Sequence, residues 1–484
     1  MEHRRKSIST ILRLFALAAA FICAAAFAVP AAAENGDVPE RDLYEFSIQA
    51  MEEGRRLRVW GLMRLTYVNR SADTMYSIVL RLHANDVEAN CMGIGSVGAD
   101  GRSAAYTLSS DGGILTVYLP REIAPGESTR LFMRFDMTLP ETGDRFGANS
   151  TGYMLGNALP IAAMYENGAW RTEPYYSNGD SFYSRIADYK VAMQIPAKFA
   201  LAHTGTRMSY DSGRAYETYY IAAPSVREFA FALIPNAATA EATARGGRVK
   251  VHALGQSKAH AAFGAQCVAN AIDFFSENIG EYPYSDIFVV PFDLNGGMEY
   301  PGLIMINKAY FKSSKSTEGA LVMGHETAHQ WFYGVVGNDQ IANPWMDEGL
   351  CEFLTCLYMD EAGLAPLENG IKAATKNYVT YVDVLNRYYD HTDTTFRPIN
   401  AYKNDGEYVV MTYVKGCLLF DTLYRTMGKD KFLRTLADYY AACAFTLATP
   451  QQMTDCFVRR GGKEMATIFD NYASGKDIIG KVTD

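Results

Sequence analysis

The chain is poor in the residues that mark several common classes of protein. Past residue 33 it has no run of lysine and arginine, and its formal net charge is −9. That argues against nucleic acid and against an anionic membrane surface as partners. Cysteine is scarce, eight in 484 residues with no C-x-x-C pair, so no disulfide framework holds the chain and most thiols are expected as buried small hydrophobes. No repeat period is evident. Histidine is also rare, eight in all, which makes any place where two of them gather informative. What remains is a folded composition, 49% hydrophobic and 20% charged, on a chain too long for one ordinary core; two or more domains are expected.

Residues 1–33 have a basic head (Arg4, Arg5, Lys6), an apolar run from Ile11, then Pro30 and Ala31-Ala32-Ala33 before a polar start. This order predicts a secretory signal peptide and an exported protein, whose net charge after cleavage is about −12. The alternative is an uncleaved N-terminal anchor, since the apolar run is nearly long enough to span a bilayer; contact with a membrane is expected only in that case.

From residue 34 to 247 the pattern is strand-like. Arg55–Asn69, Met75–Asn85 and Gly112–Pro120 alternate apolar with polar residues, and turn clusters such as Asp111-Gly112-Gly113 and Pro125-Gly126 punctuate them. An all-β domain is predicted there. From 248 to 484 the texture changes. Lys258–Gly280 has helical spacing, Asp286–Phe292 reads as a short buried strand, and Leu294–Lys308 as a glycine-interrupted strand broken at Pro301. Helices are then predicted over Thr317–Phe332, Trp345–Asp360, Pro366–Tyr389, Glu407–Met427 and Lys429–Ala444. A β domain followed by a mostly α domain implies a cleft between them.

Within the first of those helices lies His325-Glu326-x-x-His329. Two histidines at i and i+4 share a helical face and can grip one ion, with Glu326 beside them. By chance the pattern should occur in roughly one chain in a hundred of this composition. With eighteen residues separating it from His329 comes Glu348, on a second helix that Gly334, Gly337 and Pro344 allow to fold back. Two imidazoles and a carboxylate leave the fourth corner of a catalytic zinc site open to water, so one Zn2+ per chain is expected. Such an ion acidifies its water and polarises a carbonyl; Glu326 is placed as the general base. Glu352, one turn past Glu348, is placed to receive the outer N–H of a ligand histidine.

With the upstream run Gly296-Gly297-Met298-Glu299-Tyr300 and the downstream Tyr413-Val-Lys415-Gly416, these motifs resemble the M1 family of zinc aminopeptidases, in the gluzincin group. The resemblance covers nearly the whole mature chain. It implies a multidomain α and β fold, an all-β domain followed by a thermolysin-like, mostly α-helical zinc peptidase domain. It also implies His325, His329 and Glu348 as zinc ligands, Glu326 as general base, and Tyr413 as hydroxyl donor to the oxyanion. Gly296, Gly297, Met298 and Glu299 would bind the substrate, Glu299 taking its free α-ammonium. The expected partners are peptides with a free N-terminus. Tyr300 stands where many relatives have Asn. The resemblance also implies another Gln or Glu for the amine from the β domain; its local motif is not found in this sequence, and Glu173 in Ala169–Tyr176 is the candidate. The chain stops soon after the helical region, without the long C-terminal domain of larger members. The competing expectations are a zinc endopeptidase or other hydrolase on the same scaffold, and a catalytically silent peptide-binding protein.

Overall fold

The computed structural model describes residues 40–475, except 55, 142–144, 312–315 and 389–392. The expected signal peptide lies outside the described residues; among these, no helix is long and apolar enough to cross a membrane.

The N-terminal region is built from antiparallel sheet. Asp42–Glu53 and Arg56–Val68 bury alternate residues, the period that a half-buried strand demands. They sit at the centre of an eight-stranded sheet that also takes in Ala187–Pro196, Tyr216–Val226 and Ser128–Thr138. The pairing of Asp42–Glu53 with Ala187–Pro196 is parallel; its other neighbours run antiparallel. A four-stranded sheet containing Met75–Arg81 and Ile114–Ile123 covers the same core, which Phe46, Leu65, Leu80, Val117 and Phe135 fill.

A second four-stranded sheet, ordered Phe199–His203, Phe231–Pro235, Tyr153–Leu155, Phe146–Ala148, joins the two halves of the molecule. Its Met154, Ala202, Ala232 and Ile234 pack on Val290, Phe292, Leu303 and Met305 of a five-stranded sheet in the C-terminal half. That five-stranded sheet begins at Ala238–Ala244, ten residues before the boundary expected at 248, because this strand pairs with Val249–Gly255. Ile287, Val289, Ile304 and Ile306 face the helices, while Val290, Phe292, Leu303 and Met305 face the β domain. Burial on both faces is why Asp286–Phe292 reads as an unbroken apolar run.

Helices then follow: Lys258–Asn278, Thr317–Ala328, Glu348–Glu361, Leu367–Tyr388, Lys415–Met427, Lys429–Cys443, Pro450–Gly461 and Glu464–Ser474. Three differences from the sequence reading matter for the site. The segment expected as one broken strand is a reversal at Tyr300–Gly302, so Gly297–Met298 folds back antiparallel on Met305–Ile306 at the edge of the sheet. The helix expected to reach Phe332 ends at Ala328, with His329 as its C-cap. The helix expected over Glu407–Met427 is interrupted by a π-helical turn, Val410–Val414.

Candidate metal centre

His325 and His329 come one turn apart from the last stretch of the Thr317–Ala328 helix, and Glu348 opens the Glu348–Glu361 helix. Their donor atoms converge: His325 Nε2 and His329 Nε2 are 3.1 Å apart, and Glu348 Oε2 lies 3.3 Å from the first and 3.2 Å from the second. Donors bound tetrahedrally at zinc distances stand about 3.3 Å from one another, so the triangle has the size of one face of such a site. His329 Nδ1 is 3.2 Å from the Phe332 carbonyl. Donating there leaves the lone pair of Nε2 aimed inward. His325 Nδ1 lies 3.3 Å from the Glu352 carboxylate, in ion-pair range but off the angle of a hydrogen bond. All three ligand residues are buried.

The surrounding charge is strongly negative. Burial would raise the Glu348 carboxyl, but the two imidazoles hold it well below the usual range. Burial lifts Glu326 to about 7, against the pull of His325 and His329 and with help from Glu348 and Asp180. Burial and then Asp180 push Glu299 well above the carboxylate range. Among the described residues nothing donates a hydrogen bond to the Glu299 side chain, which is 6% exposed.

The strand-edge glycines explain how these groups come together. Gly296 has φ +71°, a conformation that glycine adopts freely. A Cβ on Gly297 would lie 2.3 Å from Glu326 Oε1, so Gly297 gives the Glu326 carboxylate its place against the strand that leads into Glu299. Met298 packs half-buried on the core between the domains. Gln330, immediately after the second histidine, ties helix to strand: its Nε2 donates to the carbonyls of Glu299 and Tyr300, and its Oε1 accepts from the Gly302 N–H.

Tyr413 lies on the π-helical turn and donates its hydroxyl to Glu348 Oε1 at 2.6 Å. Burial and the Glu348 charge push its phenol well above the usual value. The helices carrying the two residues cross closely, since a Cβ on Gly349 would lie 2.7 Å from the Cα of Gly416. Lys415 is fully buried and bonds Asp393 through both a carbonyl and a carboxylate oxygen.

Other site groups escaped the sequence reading. Asp347 is buried and raised to about 7 by burial and by Glu348, and it accepts from Gln340 and Asn338. Asp180, buried and paired with Arg145, is the β-domain carboxylate whose charge reaches Glu299 and Glu326. Glu173 is engaged elsewhere: its side chain pairs with Arg171, and its carbonyl accepts from Arg81. Tyr300 turns away into the β domain, where a Cβ on Gly156 would meet its hydroxyl at 1.9 Å. Cys351 is not part of the triad; its thiol meets the Phe332 carbonyl at 3.8 Å. Only the position of Gln330 beside His329 was a signal in the sequence; Asp180 and Asp347 carry none that distinguishes them from other acidic residues.

Residues 263–472 match the model of the peptidase family M1 domain. Among curated relatives, the chain is 21% identical to Aminopeptidase M1-D of Oryza sativa subsp. japonica over 78% of its own length and 44% of the relative's. It is 21% identical to Aminopeptidase M1-A of the same plant over 59% and 34%. The chain therefore spans less than half the length of these relatives. An M1 zinc metallopeptidase from Deinococcus radiodurans has the same fold, with a TM-score of 0.64, 17% identity, and coverage of 90% of this chain and 94% of that one. That enzyme has also been seen, as a variant, with a Tyr-Ser-Ala substrate. The buried triad has the donor set and the spacing to hold one metal ion.

Proposed function

We propose that the protein is a zinc-dependent aminopeptidase that hydrolyses the first peptide bond of peptides, with Glu326 as general base. The observation that carries this reading is the Glu299 carboxylate. It is buried and, among the described residues, without a donor, just past the strand whose Gly297 abuts Glu326. A buried carboxylate in that state calls for a cation, and the α-ammonium of a peptide supplies one with a charge-assisted hydrogen bond. Anchoring the amine there limits how far along the substrate the scissile carbonyl can sit.

His325, His329 and Glu348 hold the ion, which when bound supplies an acidified water and an electrophile for the scissile carbonyl. Glu326 takes the proton from water as it attacks and hands it to the departing amine. The Tyr413 hydroxyl leaves Glu348 Oε1 to donate to the developing oxyanion, a contribution commonly worth a few kcal/mol of barrier. The Glu352 carboxylate orients His325 from behind. Asp180 replaces Glu173 as the β-domain carboxylate supporting the amine site. The signal-like N-terminus supports an exported enzyme.

Blocking the substrate's amine tests the reading. N-acetylated peptides should not be cleaved, whereas free ones should be, with activity lost to a chelator and restored by zinc. Equal turnover of free and acetylated peptides would instead make the protein an endopeptidase.

A further inference from the structure

Beyond the ligands and the general base, one strained residue links the β domain to the metal. Tyr333 has φ +142°, a backbone torsion that a bulky side chain rarely adopts. It follows the Phe332–Tyr333 peptide, whose carbonyl accepts from His329 Nδ1 at 3.2 Å and whose N–H donates to the Val336 carbonyl at 2.9 Å. The strained torsion therefore sets the angle between this peptide plane and the rest of Tyr333.

Two consecutive residues of the β domain hold Tyr333 at both ends. Arg227 Nε donates to its carbonyl at 2.5 Å, and its hydroxyl donates to Glu228 Oε1 at 2.5 Å. All three residues are buried. The other Arg227 donors reach the carbonyls of Ser184, Val335 and Thr446. Gly337 leaves the space for that guanidinium, since a Cβ there would lie 2.0 Å from its central carbon. Glu228 also accepts from Asn157 Nδ2 at 3.2 Å. A guanidinium spread over backbone carbonyls, with a carboxylate on the phenol, over-determines the turn and keeps the strained torsion in place.

We infer that Arg227 and Glu228 are positioning residues for the zinc site: by clamping Tyr333 they hold the Phe332 carbonyl against His329 Nδ1 and so fix the tautomer and ring angle of that ligand. A ligand histidine whose outer hydrogen bond is kept in register binds metal more tightly than one free to turn, and loss of such partners commonly weakens binding 10–100-fold. The inference rests on the zinc-site reading, and it goes further by making part of the metal affinity a property of the β domain.

The test uses the mature chain and three variants: Tyr333→Phe, which removes only the hydroxyl, Glu228→Gln and Arg227→Gln. Zinc affinity is measured by competition with a chromogenic chelator, and the visible spectrum of the cobalt-substituted protein reports ligand geometry. Thermal melts of the metal-free proteins confirm that each variant is folded at the assay temperature. The expected result is zinc binding weaker by roughly tenfold in Tyr333→Phe and Glu228→Gln, with a shifted cobalt spectrum. Should Arg227→Gln fail to fold, the other two carry the test. Folded variants with lower melting temperatures but wild-type affinity and spectrum would overturn the clamp and leave a purely structural contact. A wild-type chain that binds no zinc would overturn the zinc-site reading itself.

Discussion

At the residue scale the site is governed by close approach. Gly297 has no side chain because the Glu326 carboxylate occupies that space. Gly297→Ala is expected to leave the fold intact and to lower kcat/KM by about a hundredfold, the usual cost of displacing a reacting group by about 1 Å. Circular dichroism with steady-state kinetics checks it, and wild-type kinetics in a folded variant would refute the contact. The convergence of His325, His329 and Glu348 was legible in the sequence because helical periodicity and fixed spacing bring rare histidines together with a carboxylate, whereas Glu299 came to notice only through the family resemblance. Asp180 and Asp347 were not. Their importance comes from burial and from chain segments distant in sequence, and one acidic residue among 54 carries no mark of where folding will put it. Tyr333 was invisible for another reason: a backbone torsion costing about 1–3 kcal/mol leaves no trace in residue type.

At the element scale the Glu348–Glu361 and Lys415–Met427 helices touch through Gly349 and Gly416. This contact sets the approach of Tyr413 to Glu348. Gly349→Ala forces the helices apart, and overpacking of this kind costs about 1–3 kcal/mol. A lower melting temperature is expected, together with a fall in kcat larger than any change in KM, if the displaced phenol serves the transition state as proposed. A variant that melts lower but keeps its kcat would show that the crossing matters for packing alone. The helices were legible from their apolar spacing and their Gly and Pro boundaries. The π-helical turn at Val410–Val414 was not, because one extra residue in a turn barely disturbs a 3.6-residue pattern. The early end of the histidine helix was equally hidden, since Trp331 and Phe332 continue its apolar character while the Gln330 and Trp331 N–H groups tighten to bonds three residues back, to Thr327 and Ala328.

At the scale of the whole molecule, the β domain and the metal-centre domain share a core and a buried ionisable group. Burial raises Glu228 to about 7, opposed by the Tyr333 hydrogen bond, Arg227 and Arg145 and assisted by Asp180. The native state thus keeps this proton to higher pH than the unfolded chain, whose carboxyl titrates near 4.5. Its contribution to stability is complete below the unfolded value and is lost as pH rises through about 7. Relative to Glu228→Gln, the metal-free wild type should lose of order 3 kcal/mol between those limits; denaturant melts at several pH values check this, and parallel curves would refute it. The two-domain order was legible in the change from alternating to helical texture. The strand that opens the second domain was hidden because Ala238–Ala244 alternates like the sheets before it.

All seven cysteines among the described residues are free, five of them buried and two half-buried. Folding is therefore what shields most of these thiols from oxidants. A chain that opens transiently in an oxidising medium can be caught by mispaired sulfurs before it recloses, so its working lifetime there is set by an opening rate rather than by an equilibrium.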